Sequence, residues 1–211
     1  MKISFDTTAL LAAALTLALS LSIAACSKTD APSVETPGAN KSVSAKAANN
    51  PEAAYSQVAA QAVAANQAGF SVGAVMAANT VYVLFDPQCP HCGQLWNASL
   101  PLHKKAKFVW LPVAIMNGKS APQGAALLTA ASPTDAMNAH EASILAGTGG
   151  MTAPSSMPAD IEKAIKANTQ LFTSLGIESV PYVMAKNAQT GQVVTRSGAL
   201  DTAALAQFLG L

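Results

Sequence analysis

The stretch that most restricts the fold is VYVLFDPQCPHCGQLW, residues Val81 to Trp96, in which an apolar run passes within a few residues into two cysteines spaced two apart. Val81 to Phe85 is apolar throughout and rich in β-branched and aromatic residues, which suits a strand buried on both faces of a sheet. Asp86-Pro87 ends it. A helix is expected to begin at Cys89, because Pro90 suits a first helical position and Leu95, Trp96 and Leu100 can form an inward face. Spacing of i and i+3 then brings both sulfurs to one side of the first turn, close enough to bond. At that place, unsatisfied backbone N–H groups and the helix dipole favour negative charge, so the Cys89 thiolate is stabilised and its pKa should fall. His91, protonated or donating a hydrogen bond, would add to this. Stabilising the reduced thiolate makes the disulfide a stronger oxidant.

What such a pair does depends on its compartment. The chain opens MKISFDTTALLAAALTLALSLSIAACSK, which reads as an export signal over residues 1–25, with Lys2 as its early cation and Ala9 to Ile23 as its apolar core. Nothing later is long enough to span a bilayer. Ile23-Ala24-Ala25-Cys26 resembles the bacterial lipobox, which implies lipid on Cys26 and a mature protein starting there. Ser27 resembles the sorting signal for the outer membrane. Exported thiols usually end up paired, and with Cys26 consumed only Cys89 and Cys92 remain of the three cysteines. A two-residue spacing closes almost no loop in the unfolded chain, so a structural staple is disfavoured. A zinc site would call for a second Cys/His pair, and the other histidines, His103 and His140, are far apart.

The formal charge of +1 carries no nucleic-acid footprint, which would require clustered Lys and Arg. The one basic cluster, His103 to Lys105, reads as a solvated helix end. Residues 26–50 are rich in Ser, Ala, Pro and Asn without an apolar period and read as a flexible, lipid-anchored tether. A helix from Pro51 to about Ala68 and a short strand near Phe70 to Val72 occupy residues 51–78. Beyond the cysteines the pattern predicts a second long strand over Lys107 to Ile115 and helices over Pro122 to Ala131 and Pro133 to Leu145. A third helix over Ala159 to Leu175, a hairpin turning at Asn187 to Gly191 and a last helix from Asp201 to Leu209 follow. Asp86 reads as a strand-ending turn, His140 as a helix-surface residue, and Trp96 and Trp110 as core. Met137, Met151 and Met157 are too scattered for a copper site. The order predicts an α/β thioredoxin fold over residues 79–211, with a helical insertion of about residues 121–175 between the second long strand and the C-terminal β-hairpin.

From about Val81 to Leu211 the chain resembles the catalytic domain of the periplasmic DsbC/DsbG thiol:disulfide oxidoreductases. VYVLFDPQCPHCGQLW, the GKSAP turn, LGIESVPYVM and the closing hairpin carry the resemblance. It implies Cys89 as nucleophile, Cys92 as the resolving thiol, and a cis-proline loop, Val180-Pro181, facing both. It implies no cofactor beyond the redox-active pair. The implied partners are exported proteins with cysteines or disulfides, and a membrane redox partner of unknown identity. Cys-Pro-His-Cys is the dipeptide choice of the oxidant DsbA, and Val180 stands where the isomerases usually carry threonine. Between Cys26 and Val81 the pattern offers only a tether, one helix and a short strand in place of the isomerases' dimerisation domain, so a monomer with poor isomerase activity is expected. Two alternatives stay open. One is a reductase that rescues single oxidised cysteines; the other is a copper or other metal chaperone using Cys89, Cys92 and a third ligand. The expected location is the periplasm, tethered to a membrane.

Overall fold

The computed structural model describes residues 50–64 and 68–211; the export segment, Cys26 and nearly all of the tether lie outside the described residues. The elements run α1 (Pro51–Ala64), β1 (Phe70–Gly73), β2 (Thr80–Phe85), α2 (Pro90–Ser99), a 3-10 turn (Leu100–Leu102) and β3 (Lys107–Pro112). They continue α3 (Ser120–Leu128), α4 (Pro133–Leu145), α5 (Ala159–Ser174), β4 (Tyr182–Lys186), β5 (Val193–Ser197) and α6 (Thr202–Leu209). None of the described helices is long and apolar enough to cross a membrane.

The five strands form one sheet in the order β1-β3-β2-β4-β5. Strands β2 and β3 are parallel, joined across α2, while β1, β4 and β5 pair antiparallel to their neighbours. Alternation along each strand decides what packs where. Val81, Val83 and Phe85 of β2, Phe108 and Trp110 of β3, and Val183 and Ala185 of β4 face α2, α4 and α6. The intervening Leu84, Val109, Leu111 and Met184 face α1 and α5, where Ala54, Val58 and Phe172 meet them. The sheet is thus buried on both sides, as the apolar run of β2 requires. Helix α1 and strand β1 belong to this assembly, since α1 covers one face and β1 extends the edge beside β3. Trp96 of α2 and Trp110 of β3 are fully buried and meet edge to face at 5.3 Å, with Phe85 against Trp110 at 5.4 Å. Each such pair contributes about 0.5–1.5 kcal/mol beyond the area it buries.

Several boundaries differ from the sequence pattern for identifiable reasons. Strand β3 stops at Pro112 because the chain then turns: Val113 still donates to the Phe85 carbonyl, but the N–H groups of Ile115 and Met116 turn to the Asp86 carboxylate. Helix α3 begins two residues early, at Ser120, and α1 ends at Ala64. His103 is not fully solvated: its ring is half-buried between Trp96 and Phe108, and only Lys104 and Lys105 are exposed. His140 is the clearest correction. It is fully buried rather than on the helix surface, because α4 turns Met137, His140, Glu141 and Ile144 inward at helical spacing.

Candidate active site

Cys89 caps α2 with extended backbone (φ −96°, ψ 112°), and Pro90 occupies the first helical turn, where its missing N–H costs nothing. No side chain caps this helix, so its first N–H groups remain available to the cysteine that sits over them. The turn before it is tied down by Cys89 N–H donating to the Asp86 carbonyl at 3.0 Å. Both thiols are free. Cys89 is 5% exposed and Cys92, one turn further in, is 0% exposed. A single helical turn therefore separates an attackable sulfur from an enclosed one.

The two thiols differ in acidity as they differ in position. The Cys92 thiol, hydrogen-bonded to the Cys89 sulfur, does most to lower the Cys89 pKa, from 9.0 to about 6. Burial opposes this, while the backbone N–H groups of Cys92 and His91 and the His91 charge add to it. Burial pushes Cys92 well above the ordinary thiol range, and its interaction with Cys89 pushes the same way. His91 is thus the smallest of these influences; it is exposed and bonded to Gln94 at 3.1 Å. Changing His91 to Ala should raise the Cys89 midpoint by less than about one unit, read from iodoacetamide labelling against pH. A rise as large as the whole displacement would assign the tuning to His91 instead.

The sign of the pH effect on stability follows. In the folded, reduced protein Cys89 ionises near 6, whereas an unfolded thiol ionises near 9. The thiolate therefore stabilises the reduced fold fully above about pH 9, and this contribution is lost as pH falls through about 6. Urea unfolding of reduced and oxidised protein, compared at pH 5 and pH 8, should show the reduced form gaining on the oxidised form at the higher pH. An unchanged difference would contradict the Cys89 assignment.

Facing the pair is the Val180–Pro181 peptide, which is cis. The Cys89 sulfur lies 3.6 Å from the Val180 carbonyl oxygen, to which its thiol donates. Pairing of Leu84 with Tyr182 holds this loop beside the end of β2, so sequence positions 91 residues apart meet at one sulfur. The sequence-predicted residues Cys89, Pro90, His91, Cys92, Val180 and Pro181 are brought together here; Cys26 lies outside the described residues.

Three further residues escaped the sequence reading. Asp86 is more than a turn residue: it is fully buried, with Oδ2 accepting from Ile115 and Met116 N–H at 2.8 and 3.0 Å and Oδ1 from Gln88 N–H at 2.9 Å. His140 Nε2–H donates to the Pro87 carbonyl at 2.7 Å, and Nδ1 accepts from Met151 N–H at 3.1 Å, so a neutral ring ties α4 to the active-site turn. Gly150, at φ +83°, allows this fit, since a Cβ there would stand 2.6 Å from the ring. Gln123 donates to the Gly149 and Met151 carbonyls and accepts from Gln88, extending the same brace. The third is Glu141, buried with neither carboxyl oxygen hydrogen-bonded. Helical spacing from Met137 to Ile144 was the signal that could have placed both His140 and Glu141 inside.

Comparison with known proteins agrees with this arrangement. No protein-family model matches the chain. The chain is 30% identical over 140 residues to the thiol:disulfide interchange protein DsbG of Pseudomonas aeruginosa, covering 65% of this chain and 54% of that protein. It is also 30% identical over 118 residues to DsbG of Escherichia coli, covering 54% and 47%. It thus spans about half the length of the curated relatives it matches. Among solved structures, the catalytic domain of Proteus mirabilis ScsC superposes with a TM-score of 0.58 at 16% identity, covering 74% of this chain and 94% of that one. The thiol-disulfide exchange protein α-DsbA2 of Wolbachia pipientis superposes with a TM-score of 0.55 at 17% identity, covering 81% and 98%. These likenesses establish a thioredoxin fold, and over about half the length of the curated relatives the sequence is similar to the thiol:disulfide interchange protein DsbG.

Proposed function

We propose that the protein exchanges disulfides with exported proteins in the periplasm through the Cys89–Cys92 pair. The observation that carries this is the contrast between an acidic Cys89 at a helix N-terminus, 5% exposed, and a fully enclosed, weakly acidic Cys92 one turn away. Cys89 thiolate attacks a substrate disulfide, forming a mixed disulfide and releasing one substrate sulfur. Cys92 then attacks the Cys89 sulfur and releases the other. The Val180 carbonyl beside Cys89 offers an extended substrate chain a backbone acceptor next to the reacting sulfur. No cofactor enters this cycle. The low pKa of Cys89 also stabilises the reduced form, which favours disulfide donation. Equilibration with glutathione buffers tests the direction: a potential well above that of the glutathione couple supports donation, and one well below it supports the reductase reading. Absence of any turnover of disulfide substrates by the purified domain would overturn the proposal altogether.

Membrane tethering through Cys26 belongs to the same proposal, resting on Ile23-Ala24-Ala25-Cys26 and the polar segment after it. Cys26→Ser should release the protein from the membrane fraction while leaving exchange by the purified domain unchanged. Wild-type protein found soluble, with a free Cys26 thiol, would refute the anchor.

A further inference from the structure

The end of the sheet opposite Cys89 carries a surface that disulfide exchange does not use. Strand β2 runs from Thr80 toward the active-site turn, so Thr80 lies roughly 17 Å from Phe85 at the rise of a strand. Register gathers Gly73, Thr80 and Lys107 at this far end, and the pairing of Val81 with Ala185 puts Lys186 there too. The turn between β1 and β2 projects from it. Ala77 N–H donates to the Ala74 carbonyl at 2.8 Å and Ala74 N–H to the Ala106 carbonyl at 3.2 Å, so the turn is closed and fixed to its neighbour. At its tip stand Val75, 63% exposed, and Met76, 96% exposed, the most exposed large apolar side chain among the described residues. A scattered apolar residue on a surface needs no explanation; two adjacent ones at the tip of a fixed turn, beside unpaired cations, mark a contact.

Those cations come from the loop that Ala74 bonds. Lys104 and Lys105 are exposed, and Lys107, half-buried, donates its N–H to the Asn79 carbonyl at 3.0 Å. None of their ammonium groups has a carboxylate partner among the described residues, where Lys186 and Glu52, 2.9 Å apart, form the one ion pair. That pair also fixes where α1 starts, as does the Tyr55 hydroxyl donating to the Thr80 carbonyl at 3.5 Å. The polar segment before α1 therefore joins the domain at the lysine-bearing end, and Cys89 lies at the other.

We propose that this end docks on an anionic lipid surface, with Val75 and Met76 entering the headgroup region and Lys104, Lys105 and Lys107 meeting lipid phosphates. Hydrated ammonium groups on flexible stems suit a diffuse negative surface, which asks for no matched partners. Two apolar side chains are too few to form the core of a stable protein interface, yet they add directly to binding at a bilayer. Two copies meeting at this end would set lysines against lysines. The contact does not require lipid on Cys26, although the tether proposed above would hold the domain where it forms. Docked in this way, the domain keeps Cys89 turned away from the bilayer and open to exported substrates.

Cosedimentation with vesicles tests the contact on Cys26→Ser protein, purified as the cell exports it so that no lipid holds it. Vesicles of equimolar phosphatidylglycerol and phosphatidylcholine should bind it about 100-fold more tightly than vesicles of phosphatidylcholine, since each lysine at an anionic surface is worth about fivefold. Salt near about 1 M should abolish that preference. Lys104→Gln with Lys105→Gln should weaken binding by about 25-fold, and Met76→Ser by about tenfold. These variants should keep the exchange activity of the parent protein, which shows that they fold. A second readout uses native residues only. Peroxide oxidises exposed methionine to the sulfoxide, so anionic vesicles should protect Met76. They should leave Met116, 49% exposed at the active-site end beside Asp86, as reactive as before. Absence of binding, binding indifferent to the lysines, or protection of Met116 in place of Met76 would overturn the inference while leaving exchange intact. Self-association that Met76→Ser abolishes, without vesicle binding, would overturn it in favour of a contact between two copies.

Discussion

Cys92→Ser should accumulate covalent complexes with exported proteins, visible as bands that collapse on reduction, whereas Cys89→Ser should accumulate almost none. The asymmetry comes from the first turn of α2. Cys89, held near pKa 6 and in contact with the cis-proline loop, is the sulfur that can attack, while Cys92 is enclosed and protonated. Without Cys92 nothing inside the protein resolves the mixed disulfide. Without Cys89 the first bond never forms, and exchange should fall by about three orders of magnitude or more, the scale on which loss of a covalent nucleophile is felt. Alkylation at pH 6 followed by peptide mapping checks the assignment directly. Preferential labelling of Cys92 would reverse the two roles and remove the basis for the mechanism.

Asp86→Asn should cost about 3–4 kcal/mol, because the amide nitrogen that replaces one carboxylate oxygen would face two backbone donors and accept from neither. Asp86, itself fully buried, binds Gln88 N–H with one oxygen and Ile115 and Met116 N–H with the other, in hydrogen bonds that are partly buried. Rotating the amide only moves the conflict to Gln88. A loss of this size is a large part of the 5–15 kcal/mol that a domain typically has to lose. Urea unfolding should show a lowered midpoint with an unchanged slope. The same substitution should loosen the turn that positions Cys89, so its alkylation midpoint should move as well. A cost below about 1 kcal/mol would mean that the turn does not depend on the carboxylate.

The parts of the fold legible in the sequence are those governed by local periodicity. Strand β2 was readable because it is apolar at nearly every position, and α2 because a proline follows the capping cysteine. Helix α5 was readable from its apolar stripe, and the hairpin from its glycine-containing turn. The placement of both cysteines on the first turn of α2 was legible because it lies within one helical turn and is set by the helix itself. Where the pattern misled, tertiary hydrogen bonds intervened. Strand β3 was read three residues too long because Ala114 to Ile115 look like strand, while their N–H groups bond to the Thr169 hydroxyl and the Asp86 carboxylate.

Sequence alone determined the strand–turn–helix that carries Cys89 and Cys92, because capping, dipole and i, i+3 spacing act over a few residues and depend on nothing distant. It also determined which residues alternate between the two sheet faces. Only the tertiary structure decided that Val180 would meet the Cys89 sulfur, since that contact depends on β4 pairing beside β2 across 91 residues of chain. Only packing of the insertion against α2 turned His140 and Glu141 from ordinary polar helix residues into a brace and a buried acid. A side chain's charge state and partners depend on what excludes water from it, and for these residues every excluding group comes from another part of the chain.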